Sequence, residues 1–203
     1  MTSLVEAYAA RRETMLLPLA ARLEAHLKGL FDTYPRIDRI SVRVKNVDRF
    51  IAKAETQTEG KLKYSDPLNQ IQDQLGARIV TFYKSDVDKL TEEIKKYFRY
   101  IESRQIVPDS EREFGYEGRH FILFIPRDVF DDTVREDESI PFFELQIKTL
   151  FQHAWSEAEH DLGYKPTGEL SNDQKRRLAF TAAQAWGADQ IFDELYRQTA
   201  MTS

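Results

Sequence analysis

FFELQIKTLFQHAWSEAEHDLGYK, from Phe142 to Lys165, opens with a carboxylate and an amide two residues apart, Glu144 and Gln146, inside an apolar run. In an extended strand residues i and i+2 face the same side. Glu144 and Gln146 therefore share one face, and Phe143, Leu145 and Ile147 bury the other. Polar groups on a strand this apolar need a partner: a metal, a ligand or a buried polar network. An edge strand with one wet face is the plainer alternative. A second phrase, FGYEGRH from Phe114 to His120, sets a tyrosine behind a glycine and ahead of an apolar strand. That position suits an exposed ring at a loop edge, a stacking surface for a base.

Working outward, the pattern is mixed. Leu4, Tyr8, Met15, Leu16, Leu19, Leu23 and Leu27 recur at helical intervals over residues 4–31, with Pro18 expected to kink or divide the run. Ile40, Val42 and Val44 alternate with Ser41, Arg43 and Lys45, which reads as a half-buried strand with a basic open face. A short helix is expected over 47–55, then a polar loop through Gly60 to Pro67. Strands follow at Ala77 to Tyr83, Tyr100 to Val107, His120 to Ile125 and Phe142 to Ile147, with a helix over 86–98. Helices close the chain at 150–162 and 172–197, the second capped by Ser171 or Asn172. The acidic stretch from Arg127 to Ser139 reads as a connecting loop.

The chain has 203 residues, 41% hydrophobic and 31% charged, which are values of a folded domain with a sizeable core. No apolar run reaches the roughly 20 residues of a membrane span, and MTSLVEAYAARRE lacks the apolar stretch of a signal peptide. The absence of cysteine excludes disulfides and thiolate metal sites and fits a reducing cytoplasm. A net charge of −5 argues against broad capture of nucleic acid.

Four phrases in order resemble the synthetase domain of RelA/SpoT homologues, and in particular the stand-alone small alarmone synthetases. SVRVK (Ser41 to Lys45), followed by Lys53, is similar to the family's basic ATP-binding segment. DQLGARI (Asp73 to Ile79) resembles its D-x-x-G-x-R-I block, and GYEGRH (Gly115 to His120) its G-Y-x-S-x-H block. ELQIKT (Glu144 to Thr149), with the W-x-x-x-E-H-x-x-Y-K run from Trp155 to Lys165, resembles the E-x-Q-I-R-T block and its helix. The likeness runs from about Ile40 to about Ala182. It implies an α/β (α+β) fold: a mixed sheet of about five strands flanked by helices, nucleotidyltransferase-like, with helices at both ends. One domain over 1–203 is expected, with an N-terminal helical segment 1–35, a catalytic core 36–166 and a C-terminal helix 167–203.

The resemblance implies a cytoplasmic pyrophosphokinase that moves the β,γ-pyrophosphate of ATP to the 3′-hydroxyl of GDP or GTP. Such transfer is mostly positioning and charge neutralisation, so the site needs carboxylates for Mg²⁺ and cations for phosphate oxygens. Asp73 and Glu144 are the expected catalytic and metal carboxylates, and Glu144 is also placed to accept the proton of the attacking hydroxyl. Arg43 and Arg78 would sandwich adenine, while Lys45 and Lys53 would reach the ATP phosphates. Tyr116 would stack the acceptor base, His120 would touch its ribose or phosphate, and Gln146 and Lys148 would orient it. Lys148 stands where an arginine is common. Thr56 replaces a residue often basic, so either ATP contacts are fewer here or Lys61 or Lys63 supplies the missing one. By the same likeness the protein is expected to assemble as a homotetramer.

One departure stands out. Around Tyr116, where small synthetases carry cations that grip the acceptor's 5′-phosphates, EREFGYEGRH supplies Glu113 and Glu117. Carboxylates there would repel a polyphosphate unless Arg112 and Arg119 compensate. Either GDP or GTP is held by a rearranged grip, or the acceptor is the 3′ end of tRNA, as in toxic relatives that work with an antitoxin partner. A catalytically silent sensor would not need the carboxylates. Alarmone hydrolysis is rejected, because the adjacent pair His160–Asp161 lies within the synthetase-like run.

Overall fold

The computed structural model describes residues 3–110, 113–131, 139–163 and 170–200. Helix α1 (Leu4–Arg11) starts at a capping box in which Ser3 and Glu6 satisfy each other's first-turn amides. Pro18 does not divide the N-terminal run. The chain passes through a π-helical turn at Arg12–Leu16 into α2 (Leu17–Leu30), and Pro18 falls in the first turn of α2. Its missing amide is absorbed by the extra residue of the wider turn. Tyr8, Leu16, Leu19, Leu23 and Leu27 stay on one buried face.

Strand β1 (Ile37–Val44) leads to α3 (Val47–Ala54), which is N-capped by Asn46. The segment expected as a plain loop contains a hairpin, β2 (Gln57–Thr58) and β3 (Lys61–Leu62). Glu59 at φ 53° and Gly60 at φ 77° give it the left-handed pair of a type I′ turn. After α4 (Pro67–Gln70) come β4 (Leu75–Thr81), α5 (Lys84–Tyr97), β5 (Tyr100–Ile106), β6 (Gly118–Phe124) and β7 (Phe142–Thr149). Helices α6 (Leu150–Gly163) and α7 (Asn172–Ala200) end the fold, with Ser171 and Gln174 forming a capping box at α7. Of the expected acidic connection, Arg127–Val129 is a 3₁₀ turn, and residues 132–138 lie outside the described residues.

The five-stranded sheet has the order β1-β4-β7-β6-β5, with β4 and β7 parallel and the other pairs antiparallel. This is the mixed α+β sheet the sequence implied. Its register sorts the side chains by face. Leu75, Ala77 and Ile79 of β4 lie beside Phe143, Leu145 and Ile147 of β7 and Phe121 and Leu123 of β6, all buried. Each large side chain buried there contributes about 1.5–3 kcal/mol. With Leu19, Leu23 and Leu27 of α2 and Leu90 and Ile94 of α5 they form one hydrophobic cluster. The other face carries Arg43, Gly76, Arg78, Glu144, Gln146, Lys148 and His120 across four adjacent strands.

Candidate active site

Asp73 lies in the 3₁₀ turn Gln72–Gln74 that feeds β4. The turn is clamped from within by Gln74, fully buried, whose amide donates to the carbonyls of Leu68 and Ile71 at 2.8 and 3.0 Å. Lys45 follows β1 and is fixed through its backbone: its amide donates to Gln74, and its carbonyl accepts the Tyr8 hydroxyl at 2.8 Å. Tyr8 in turn stacks flat on Phe50 of α3 at 3.6 Å, which sets α3 and therefore Lys53. The result is one carboxylate oxygen, Asp73 Oδ2, held by Lys45 at 2.9 Å and Lys53 at 2.8 Å. Burial pushes the Asp73 carboxyl up, but the two ammoniums outweigh it and hold it below the usual range. Asp73 Oδ1 is buried with no hydrogen-bond partner.

Glu144 sits on β7 with one oxygen 3.3 Å from His120 Nδ1, while the other accepts the Gln146 amide at 3.2 Å. Burial raises this carboxyl too, and His120 with Gln146 brings it below its ordinary value. His120 continues the chain: its Nε2 is 2.9 Å from the Tyr116 hydroxyl. With Nδ1 protonated toward Glu144, Nε2 is left to accept the tyrosine's proton.

Tyr116 is half-buried, not the exposed loop-edge ring expected from sequence. Its hydroxyl lies over Gly118, where an added Cβ would come within 2.5 Å. The Lys148 ammonium sits 4.9 Å from the ring centroid. Lys148 is only 3% exposed, donates to Ser156 Oγ at 2.9 Å, and is pushed down to about 7 by burial and by the charges of Arg78 and Arg43.

The cationic strand face is also assembled. Arg43 extends over Gly76, where an added Cβ would lie 3.9 Å from Arg43 Cγ and Nε, in ordinary van der Waals contact. Burial and then Arg78 lower the Arg43 guanidinium. Arg78 bonds Glu157 at 2.8 Å and His153 Nδ1 at 3.4 Å, both on α6.

Two cavities meet at the carboxylates. One of about 260 Å³ is lined by Arg43, Lys45, Asn46, Arg49, Asp73 and Glu144. The other, about 470 Å³, is lined by Lys53, Lys63, Tyr64, Arg104, His120 and, again, Asp73 and Glu144. All ten side chains expected from sequence thus fall on one face or its rim. Lys63 reaches the larger cavity, and Lys61 stays exposed on the hairpin. Sequence reasoning missed Glu157 and His153, whose only signal is an i, i+4 pair on α6, and also Arg104 and Ser156.

Glu117 has a cation beside it. Its side chain turns toward Lys84, 3.9 Å away, in a separate cavity of about 70 Å³ shared with Arg119 and Asp189. The same small cavity is lined by Lys148 and Gly118, so Glu117 stays next to the residues around Tyr116. Arg119 is engaged with Asp88 at 3.4 Å, Glu113 is exposed, and Arg112 lies outside the described residues.

A model of the region found in RelA / SpoT proteins matches residues 42–169, which include every one of these ten positions. The chain belongs to the RelA/SpoT family. It is 28% identical over 184 residues to GTP pyrophosphokinase YjbM of Bacillus subtilis (strain 168), covering 85% of this chain and 81% of that protein. A GTP pyrophosphokinase family protein from Streptococcus pneumoniae shares the fold at a TM-score of 0.77 and 21% identity, covering 97% of this chain and 96% of that one. The small alarmone synthetase 1 from Bacillus subtilis bound to its product pppGpp shares it at 0.73 and 22%, over 91% and 96%.

Among the described residues of this RelA/SpoT protein, no group of three or more His, Cys, Asp or Glu side chains forms a metal cage. The donor set still fits a divalent cation of the kind that takes one or two carboxylates and completes its shell with substrate phosphates. The orphaned Asp73 Oδ1 beside Glu144 is the observation that fits. No helix among the described residues is long and apolar enough to cross a membrane.

Proposed function

We propose that this protein is an ATP-dependent pyrophosphokinase that makes (p)ppGpp from ATP and GDP or GTP. The observation that carries this is the sharing of Asp73 and Glu144 by two cavities, one walled by Arg43, Lys45 and Arg49, the other bordered by His120, whose Nε2 is 2.9 Å from the Tyr116 hydroxyl. Two substrates brought to one carboxylate pair is what transfer between nucleotides needs.

Arg43 and Arg78 flank the adenine of ATP, and Lys45 and Lys53 neutralise its phosphates. The acceptor base stacks on Tyr116, with Gln146 and Lys148 orienting the ribose. The acceptor O3′ attacks the β-phosphorus of ATP, the O3′–Pβ bond forms, the bond from Pβ to the α-phosphate oxygen breaks, and AMP leaves. Glu144, held ionised, accepts the O3′ proton. Mg²⁺, held by Asp73 with Glu144 and the phosphates, would supply charge neutralisation on the transferring group. His120 acts through its neighbours, fixing Glu144 and Tyr116 in one hydrogen-bonded line.

The tRNA acceptor and its antitoxin partner are not favoured. The chain is similar over 85% of its length to a GTP pyrophosphokinase, Lys84 lies 3.9 Å from Glu117 to offset its charge, and the net charge of −5 weighs against a tRNA surface. We place the reaction in the cytoplasm, where both nucleotides occur, and expect a homotetramer. To test the reading, purified protein is incubated with Mg²⁺, γ-labelled ATP and each of GDP, GTP, GMP, ADP and bulk tRNA. Label should pass to GDP or GTP with release of AMP. Label on none of them would sink the enzyme, and label on tRNA alone would replace the acceptor.

A further inference from the structure

The amide of Glu117, the residue after Tyr116, is held from a distance. It donates to Oε1 of Gln152, at 3.3 Å, and Gln152 is 5% exposed in the first turn of α6. Thr149, the last residue of β7, caps α6 by accepting the Gln152 amide at 3.1 Å. In an ordinary capping box a Gln at this position would turn back to the capping residue's own amide. Here Thr149 still lies in the sheet opposite Thr81, and the Gln152 side chain reaches the Tyr116 segment instead. The Thr149 hydroxyl donates to Asp189 Oδ2 of α7 at 2.7 Å, and Gln152 lies against the same carboxylate. Asp189 is 2% exposed, and its second oxygen has no partner. Asp193, one turn on, accepts the Ser85 amide at the start of α5 and fixes α7 in place.

We propose that Gln152, anchored by Thr149 and Asp189, is a positioning residue that holds Tyr116 in register for the acceptor base. Tyr116 is then fixed at two ends: at its hydroxyl through His120 to Glu144, and at its backbone through Glu117 to Gln152. The hydroxyl contact alone leaves the peptide free to swing the ring off Lys148. The backbone contact alone leaves the ring free to rotate. The C-terminal helix thus bears on acceptor recognition while touching no substrate. This rests on the reading of Tyr116 as the acceptor's stacking surface.

The test uses Gln152→Leu, Asp189→Ala and Asp189→Asn in the full chain, with initial rates over GDP and ATP concentrations. Losing one neutral hydrogen bond is worth about 0.5–1.5 kcal/mol. Gln152→Leu should therefore raise KM for the guanine nucleotide roughly 2- to 12-fold, with KM for ATP unchanged. Asp189→Ala should do the same. Asp189→Asn, which still accepts the Thr149 hydroxyl, should restore most of the loss. The double variant Gln152→Leu/Asp189→Ala should be no worse than either single, as expected for one linked device. Hydrogen exchange of residues 114–121 should speed up in Gln152→Leu without a matching change in α2. Wild-type turnover with an unchanged acceptor KM and unchanged exchange in Gln152→Leu overturns the inference and leaves the enzyme reading standing. Equal losses for ATP and acceptor would mean a general structural role and overturn it too. No wild-type turnover on any acceptor overturns the enzyme reading and the inference with it.

Discussion

Lys148→Met should make the protein more stable and a worse enzyme. The ammonium is almost wholly buried, near Arg78 and Arg43, with Ser156 as its hydrogen-bond partner, and it is pushed down to about 7 from an ordinary 10.5. Between pH 7 and 10.5 the unfolded chain holds a proton here that the folded chain has released, so stability rises with pH across that window. At about 1.4 kcal/mol per pH unit, the lysine costs the fold about 4 kcal/mol at pH 7 and about 2 kcal/mol at pH 9. Methionine, of similar length and uncharged, removes that cost and forfeits about 1 kcal/mol of hydrogen bonding to Ser156. The net gain is about 3 kcal/mol at pH 7, shrinking to about 1 kcal/mol at pH 9. In a chain of this length the first corresponds to a rise in Tm of roughly 6–12 °C. Calorimetry or thermal melts of both proteins at pH 7, 8 and 9, without nucleotide, measure it. Acceptor KM should rise in the same variant, because the cation over Tyr116 is gone. A Met variant less stable than wild type at pH 7, or a gain that does not shrink with pH, would refute the assignment of Lys148 as a strained functional cation.

Asp73→Ala and Glu144→Gln should each lower turnover by about 100-fold or more while shifting Tm by only a few degrees, since each carries charge at the site and not core packing. Circular dichroism alongside the rate assay separates the two effects. Glu117→Arg should change GDP and GTP use less than about three-fold, because Lys84, 3.9 Å away, already offsets the carboxylate's charge. A large rise in GTP use would return Glu117 to the phosphate site. On α7, Phe180, Ile191 and Leu195 are 64%, 59% and 50% exposed, an apolar stripe that a homotetramer would cover. Light scattering at micromolar concentration should give a mass near four chains, and a monomer would remove the assembly.

Much of the architecture was legible in β7 because a strand buried on one side must alternate, and Phe143, Leu145 and Ile147 left Glu144 and Gln146 no other face. The basic face of β1 was readable for the same reason. What escaped were contacts between residues far apart in the chain. Nothing near Arg78 announces that α6 will bring His153 and Glu157 to it. Nothing near Glu117 tells that its amide will be held by Gln152 of α6 or that its carboxylate will lie by Lys84. Tyr116 was expected to be exposed because a glycine precedes it. The glycine that matters is Gly118, which lets the ring fold back onto His120. Pro18 misled for a local reason: a proline is tolerated when the preceding turn widens, and spacing alone does not reveal a π turn.

The most direct measurement of pyrophosphate transfer is phosphorus NMR of a reaction containing the protein, Mg²⁺, ATP and GDP, followed to completion. The spectrum should show AMP and a guanosine carrying a diphosphate at both its 5′ and 3′ positions, in equal amounts, and the Glu144→Gln protein should yield neither. Appearance of ADP with a single phosphate added to the acceptor, or of AMP with free pyrophosphate and unchanged GDP, would contradict the transfer assigned to Asp73 and Glu144.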